Sequence, residues 1–198
     1  MSYKNYRKKR QYQRIWERFG YAIKDAHKRQ DIKGKEYMEY VSGIFNSSPV
    51  QQMRKYNHHS RTNCLQHSVH VSYFNYIISK RLNWDTWAAT KGGLLHDLFL
   101  YDWHEYEPTD NERLHGFEHP GKALKNARRH FPLTEKQGDI ISKHMFPLTI
   151  TPPKYKESYL LVLTDKFCST GEVLDRFLKR KQRIKNIEAM KEKRGVRA

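Results

Sequence analysis

Residues 86–97 read TWAATKGGLLHD. Ala88, Ala89, Gly92 and Gly93 are small enough to let neighbouring helices approach closely in a core, and Asp85 or Thr86 can open the helix. Apolar Leu94 and Leu95 lead directly into His96-Asp97 at its end. A carboxylate beside an imidazole in an apolar setting is costly to bury unless something compensates both groups. A divalent cation does so, with His nitrogen and Asp oxygen binding zinc-like ions at about 2.0–2.2 Å. This stretch therefore predicts a core helix ending on a His-Asp pair, which taken alone is either a metal site or one of the common pairs that bind none.

The flanking sequence reads as helical as well. Residues 11–30 place Tyr12, Ile15, Trp16, Phe19, Ala22 and Ile23 at spacings of three and four, an amphipathic helix with a basic outer face. A short helix is predicted over 35–45, then a polar loop from Asn46 to about Arg61. Asn63 can cap a long helix to about Arg81, with Leu65, Val69, Tyr73 and Ile77 on one side. Downstream, LFLYDWHEYEPTDNERLHGFE has no periodicity, and long stretches of that kind are often functional. Pro120 is expected to start a helix, PGKALKNARRHF, because proline favours the first helical position and pushes its predecessor out of the α region. Thr134 and Glu135 open a helix to about Met145. After Pro152-Pro153, residues 155–169 read as an apolar helix, and from Glu172 onward Val173, Leu174, Phe177, Ile184 and Ile187 form a thinning stripe. Asn-Gly and Asp-Gly hairpin signals are absent from the sequence. The expected class is all-α, with residues 1–45 a basic helical extension packing on the core, 46–175 the central helical domain, and 176–198 a basic C-terminal helix or tail.

Composition narrows the function classes. The chain has 198 residues and 23.9 kDa, 37% hydrophobic and 30% charged, which is polar for a globular domain but not disordered throughout. Cys64 and Cys168 are the only cysteines, which excludes a disulfide scaffold. Apolar runs such as Tyr159 to Leu163 fall far short of the roughly 20 residues a spanning helix needs. MSYKNYRKKRQYQ lacks the apolar core of a secretory signal, so a cytoplasmic protein with free thiols and no membrane partner is expected.

The net charge of +17 sits at the ends. Residues 1–35 hold 12 Lys/Arg against 3 Asp/Glu, residues 176–198 hold 10 against 2, and the middle holds 16 of each. Basic ends point to nucleic-acid contact or to solvated tails. The histidines are distributed the other way: ten of the eleven lie between positions 58 and 144, in the neutral middle. That enrichment points to metal binding or imidazole chemistry.

Four further residues stand in the same kind of setting as His96-Asp97. His67 has apolar neighbours Leu65 and Val69, His119 precedes Pro120, His144 ends IISKHM, and Asp165 interrupts LLVLTDKF. A buried histidine often just satisfies a carbonyl, but an Asp in a buried helix needs a counter-charge or several donors. Positions about 20–30 residues apart on successive helices can converge in the middle of a bundle.

The order His67, His96-Asp97, Asp165 resembles the His…His-Asp…Asp signature of the HD-domain metal-dependent phosphohydrolases, over about residues 63–175. His119 in EHPGKAL and His144 in ISKHMFPL resemble the two extra ligands of that superfamily's binuclear branch. The resemblance implies an HD-like helical bundle with basic helical N- and C-terminal extensions. It implies one metal held by His67, His96, Asp97 and Asp165, and a second held by His119 and His144, with Asp97 bridging. It also implies hydrolysis of a phosphate ester or anhydride on a small, nucleotide-like substrate, by water that the cations activate. Mixed His/carboxylate ligation suits two divalent or mixed-valent transition-metal ions, iron or manganese first, with zinc, cobalt or nickel as alternatives.

The Gly-Lys that follows His-Asp in many members is replaced here by LFLYDWH, and no Gly-Tyr-Pro element follows His144. The replacement loop offers Trp103, His104, Tyr106, Arg113 and His115 for stacking and phosphate contact. His104, Arg113 and Lys143 are expected substrate contacts. Asp97, Lys166 and His115 are expected catalytic groups, His115 as general acid or substitute ligand. His70 reads as supporting or core, and His58, His59 and His130 as surface. Two rivals remain: a nucleic-acid- or ribosome-associated protein using the basic ends, and a di-iron oxygenase on the same scaffold.

Overall fold

The computed structural model describes residues 32–58, 62–108, 112 and 114–195. The helix expected over 11–30, His59 and Arg113 lie outside the described residues. Seven α-helices follow in order: α1 Ile32–Phe45, α2 Ser48–Gln52, α3 Cys64–Arg81, α4 Thr86–Leu95, α5 His115–His130, α6 Glu135–Ser142 and α7 Lys156–Gly195. Two 3-10 turns, Met53–Lys55 and Trp103–Glu105, interrupt the connections. Among the described residues the only strand-like feature is an isolated bridge between Asn57 and Asn63. The protein is all-α, and no described helix is long and apolar enough to cross a membrane.

Helix starts follow their capping residues. Asn63 and Thr134 each form a reciprocal capping box, with Gln66 and Gln137 respectively, and Asp85 accepts from the Ala88 amide. The polar loop expected from Asn46 is partly helical, because Ser47 and Pro49 suit a helix start and Val50 and Met53 find the core.

The start of α5 departs from expectation. It begins at His115, so Pro120 is its sixth residue and His119 lies inside the helix. A proline there removes the bond to the Gly116 carbonyl. The His119 ring donates from Nδ1 to a different acceptor, the His115 carbonyl, at 3.0 Å.

The helix α3 packs broadly along α4, and α7 lies across α3, α4 and α6. The two glycines of α4 make this possible. A Cβ on Gly93 would stand 2.9 Å from the Ser72 Cα and 2.8 Å from Asn75 Nδ2, and one on Gly92 would overlap Ile140. Polar ties cross the same interface: Ser72 Oγ donates to the Thr90 carbonyl at 2.8 Å, and Asn75 joins the Ala89 carbonyl to Thr164 Oγ1. A single apolar cluster runs from Tyr37 and Val41 of α1 through Leu65, Leu94 and Leu95 to Ile141, so α1 shares the core of the central helices. The 40 residues of α7 run unbroken through position 175, a length of about 60 Å.

After α4 the chain turns sharply. Leu100 adopts φ 59°, a left-handed conformation that costs an ordinary residue about 1–2 kcal/mol. Asn126 of α5 holds the turn by donating to the Leu98 and Phe99 carbonyls at 2.8 and 3.1 Å.

Candidate metal centre

The six residues expected as ligands come together from five places in the fold. His67 comes from the first turn of α3, His96 and Asp97 from the end of α4, and His119 from α5. His144 follows α6, and Asp165 sits on α7. All six are at least nine-tenths buried.

The hydrogen bonds assign the tautomers of three of these rings. His96 Nδ1 faces the Gly93 carbonyl at 2.8 Å, His144 Nδ1 the Ile141 carbonyl at 2.8 Å, and His119 Nδ1 the His115 carbonyl at 3.0 Å. A carbonyl only accepts, so each Nδ1 carries the hydrogen and each neutral ring presents a lone pair at Nε2. Those lone pairs point at one another and at carboxylates. His119 Nε2 lies 2.7 Å from His144 Nε2, and the two stand 3.5 and 3.6 Å from Asp97 Oδ1. His96 Nε2 is buried without a hydrogen-bond partner, 3.4 Å from Asp97 Oδ2 and 3.8 Å from Asp165 Oδ1. Acceptors facing acceptors in a buried place repel unless positive charge lies between them. The donor set fits a transition-metal cation on that ground.

Asp97 divides the centre. Its Oδ1 faces His119 and His144, and its Oδ2 faces His96 and His58, the latter at 3.3 Å. The ligand atoms of His96, Asp97 and His144 all lie within 4.8 Å of one another, as do those of His67, His96 and Asp165.

Electrostatics agree with this division. Burial pushes the Asp97 carboxyl up, but His96 and His58 overcome it and hold Asp97 well below the usual range. Asp165 is held down likewise by His67 and His96. Burial, with His119 and His96 close by, lowers the His144 imidazole to about 3, and burial also lowers His119. These two rings are therefore neutral and able to donate electron pairs. His67 differs: against the effect of burial, Glu172 and Asp165 raise it to about 10. Its Nε2 lies 3.1 Å from Asp165 Oδ1 and its Nδ1 3.1 Å from Glu172 Oε1, so proton and cation are alternatives at Nε2.

The other expected site residues lie outside this inner group. His115 is one layer out, its Nδ1 2.8 Å from the Tyr101 hydroxyl and its ring stacked on His119 at 4.6 Å. Lys166 Nζ is 2.9 Å from Asp165 Oδ2 on a half-exposed side chain. Lys143 is half-buried at the end of α6, beside His144. His104 is exposed and turned to Asp102, 3.0 Å away, with its ring against Trp103. His130 is exposed, as expected. His70 lies 3.6 Å from Glu172, in a supporting position.

Two residues belong to the cluster that the sequence does not announce. His58, expected at the surface, is 6% exposed and stacks on His67 at 3.7 Å. Its polar sequence neighbourhood hides this, because the groups packed on the ring, His67, Asp97 and Glu172, come from other parts of the chain. Glu172, also 6% exposed, sits between His58 and His67; burial pushes its carboxyl up, but His67 and His58 outweigh that and hold it far below the usual carboxylate range. The signal that points to Glu172 is its distance of seven residues, two helical turns, from Asp165 on one helix. No protein-family profile matches this chain, and neither a curated protein nor a solved structure matches it.

Proposed function

We propose that the protein is a binuclear metal-dependent phosphohydrolase that cleaves a phosphate ester or anhydride, a small nucleotide-like substrate being the first class to test. The reading rests on one observation: Asp97 turns its two oxygens toward two separate groups of buried lone pairs. His67, His96, Asp97 and Asp165 would hold one cation, and His119, His144 and Asp97 the other, in the HD-domain manner that the sequence resembles. When bound, such a pair supplies Lewis-acid charge at phosphate oxygens and water acidic enough to attack phosphorus near neutral pH.

The chain's own residues do the rest. The helix carbonyls of Gly93, His115 and Ile141 fix three imidazoles with Nε2 inward. Lys166 holds Asp165 Oδ2 and leaves half its side chain in solvent, where it can meet a phosphate oxygen. His115 braces the His119 ring and links it to Tyr101, the inner edge of an aromatic group that includes Trp103 and Tyr106. Lys122 lies 4.3 Å over the Tyr106 ring, its charge paired with Glu112 at 2.7 Å. An aromatic surface of this kind suits stacking of a base.

The test is elemental analysis of protein purified without chelator, followed by a phosphate-ester and anhydride panel in air and under anaerobic conditions. About two transition-metal ions per chain with oxygen-independent phosphate release is the expected result. Turnover that requires oxygen would move the assignment to a di-iron oxygenase, and a metal-free protein that releases no phosphate would sink it.

A further inference from the structure

We infer that His58 is a seventh ligand of this centre, carried on the loop before α3 and set in place by Glu172 as a positioning residue. The inference rests on the two-cation reading above and extends it to a residue outside the six-ligand pattern.

The loop is built to hold that ring. The His58 amide donates to the Thr62 carbonyl at 2.9 Å and the Cys64 amide to the Tyr56 carbonyl at 2.9 Å, on either side of the Asn57–Asn63 bridge. The Asn57 carbonyl also accepts from Trp103 Nε1 at 3.0 Å. These bonds bring the His58 ring flat against His67, with 16° between the planes.

The ring then follows the same rule as the other imidazoles of the centre. One nitrogen, Nδ1, lies 3.4 Å from Glu172 Oε2, and the other, Nε2, lies 3.3 Å from Asp97 Oδ2. Metal-bound histidines commonly hand the far N–H to a carboxylate, which fixes the tautomer and raises ligand basicity. Glu172 performs this for two stacked rings at once, with Oε1 on His67 Nδ1 and Oε2 on His58 Nδ1. Ligand atoms of His58, His67 and Asp97 all fall within 4.8 Å of one another. Asp97 Oδ2 thus has His96 on one side and His58 on the other.

A histidine that merely paired with the two carboxylates would leave the ligand field of the cation unchanged, and that difference decides the test. The full-length protein is loaded with Co(II), and its visible d–d absorption and its rate of metal transfer to a chelator are recorded. His58→Ala is expected to change the absorption and to speed metal release about 10–100-fold, with millimolar imidazole restoring the spectrum. Glu172→Gln keeps one acceptor oxygen and is expected to shift both readouts less, in the same direction. If His58→Ala loses helix content, His58→Gln replaces it, being neutral, polar and close in size. An unchanged spectrum and release rate in a folded His58 variant overturns the proposal while leaving the two-cation reading intact. Failure of the wild-type protein to bind Co(II) overturns both.

Discussion

Three imidazoles of the centre are oriented by a carbonyl of their own chain segment, three or four residues back: His96 by Gly93, His144 by Ile141 and His119 by His115. Two others, His58 and His67, are oriented by Glu172, which is 114 and 105 residues away in sequence. His96, His119 and His144 are thus oriented as soon as their own segments form, and His96 carries that local orientation into the site it shares with His67. His58 and His67 are oriented only when α7 docks against α3 and the loop before it. Local geometry holds one set of lone pairs, and tertiary packing holds the other.

The largest effect is expected where the halves join. Asp97→Ala removes the carboxylate both share, so metal content falls to near zero and phosphate release drops by about a thousandfold or more, roughly 4 kcal/mol of barrier. Circular dichroism should keep most of its helical signal. A variant that still holds two ions per chain would refute the division at Asp97.

The two halves should then separate under single substitutions. His119→Ala and His144→Ala are expected to lower metal content from about two ions to about one, with the remaining ion on the His67 side. Glu172→Ala leaves His119 and His144 in place and should weaken the His67-side ion by about 10–100-fold. Titration with a competing chelator measures both. If the two classes of variant lose the same ion, the comparison between local and tertiary orientation is wrong.

A smaller effect tests the packing that supports both halves. Gly93→Ala forces a methyl group against the Ser72 backbone and Asn75, which should cost about 1–3 kcal/mol in denaturant unfolding and loosen the His96 side.

Acid–base behaviour sharpens the contrast further in chelator-treated protein. His67 is raised to about 10 from 6.5, so its contribution is complete below pH 6.5 and is lost as the pH rises through about 10. Glu172→Gln should flatten that alkaline loss of stability, whereas His144→Ala, at a ring that is neutral throughout this range, should not. Unfolding midpoints between pH 6 and 10 give the answer. The mildest change is Thr134→Ala, which removes the cap of α6 and should cost about 1 kcal/mol with no effect on metal content.

Much of this architecture was legible in the residues. Asn63, Asp85 and Thr134 mark helix starts with side chains that satisfy free amides, and the small residues of TWAATKGGLLHD announce the close approach of α3 and α4. His67, His96, Asp97, His144 and Asp165 stand in or beside apolar stretches, whereas His119, between Glu118 and Pro120, is marked only by its place in the ordered pattern. The start of α5 differs from expectation because proline favours a first turn, and here Pro120 sits at the sixth position of the helix. His58 and Glu172 carried no such mark. One lies in a polar loop and the other between Ser169-Thr170-Gly171 and Val173-Leu174, and the histidines that surround Glu172 come from segments far away in the chain.

The unbroken course of α7 has a consequence for how this chain can vary. Asp165 and Glu172 are two full turns apart, about 10.5 Å along the axis, and serve opposite nitrogens of the same His67 ring. One residue inserted between them would rotate Glu172 by about 100° relative to Asp165 and send its carboxylate away from both rings. Helical phase, more than residue identity, is what this segment has to keep. Lys166 and the buried Cys168 have roles of their own in the stretch from 166 to 171, and that stretch should reject any change in its length.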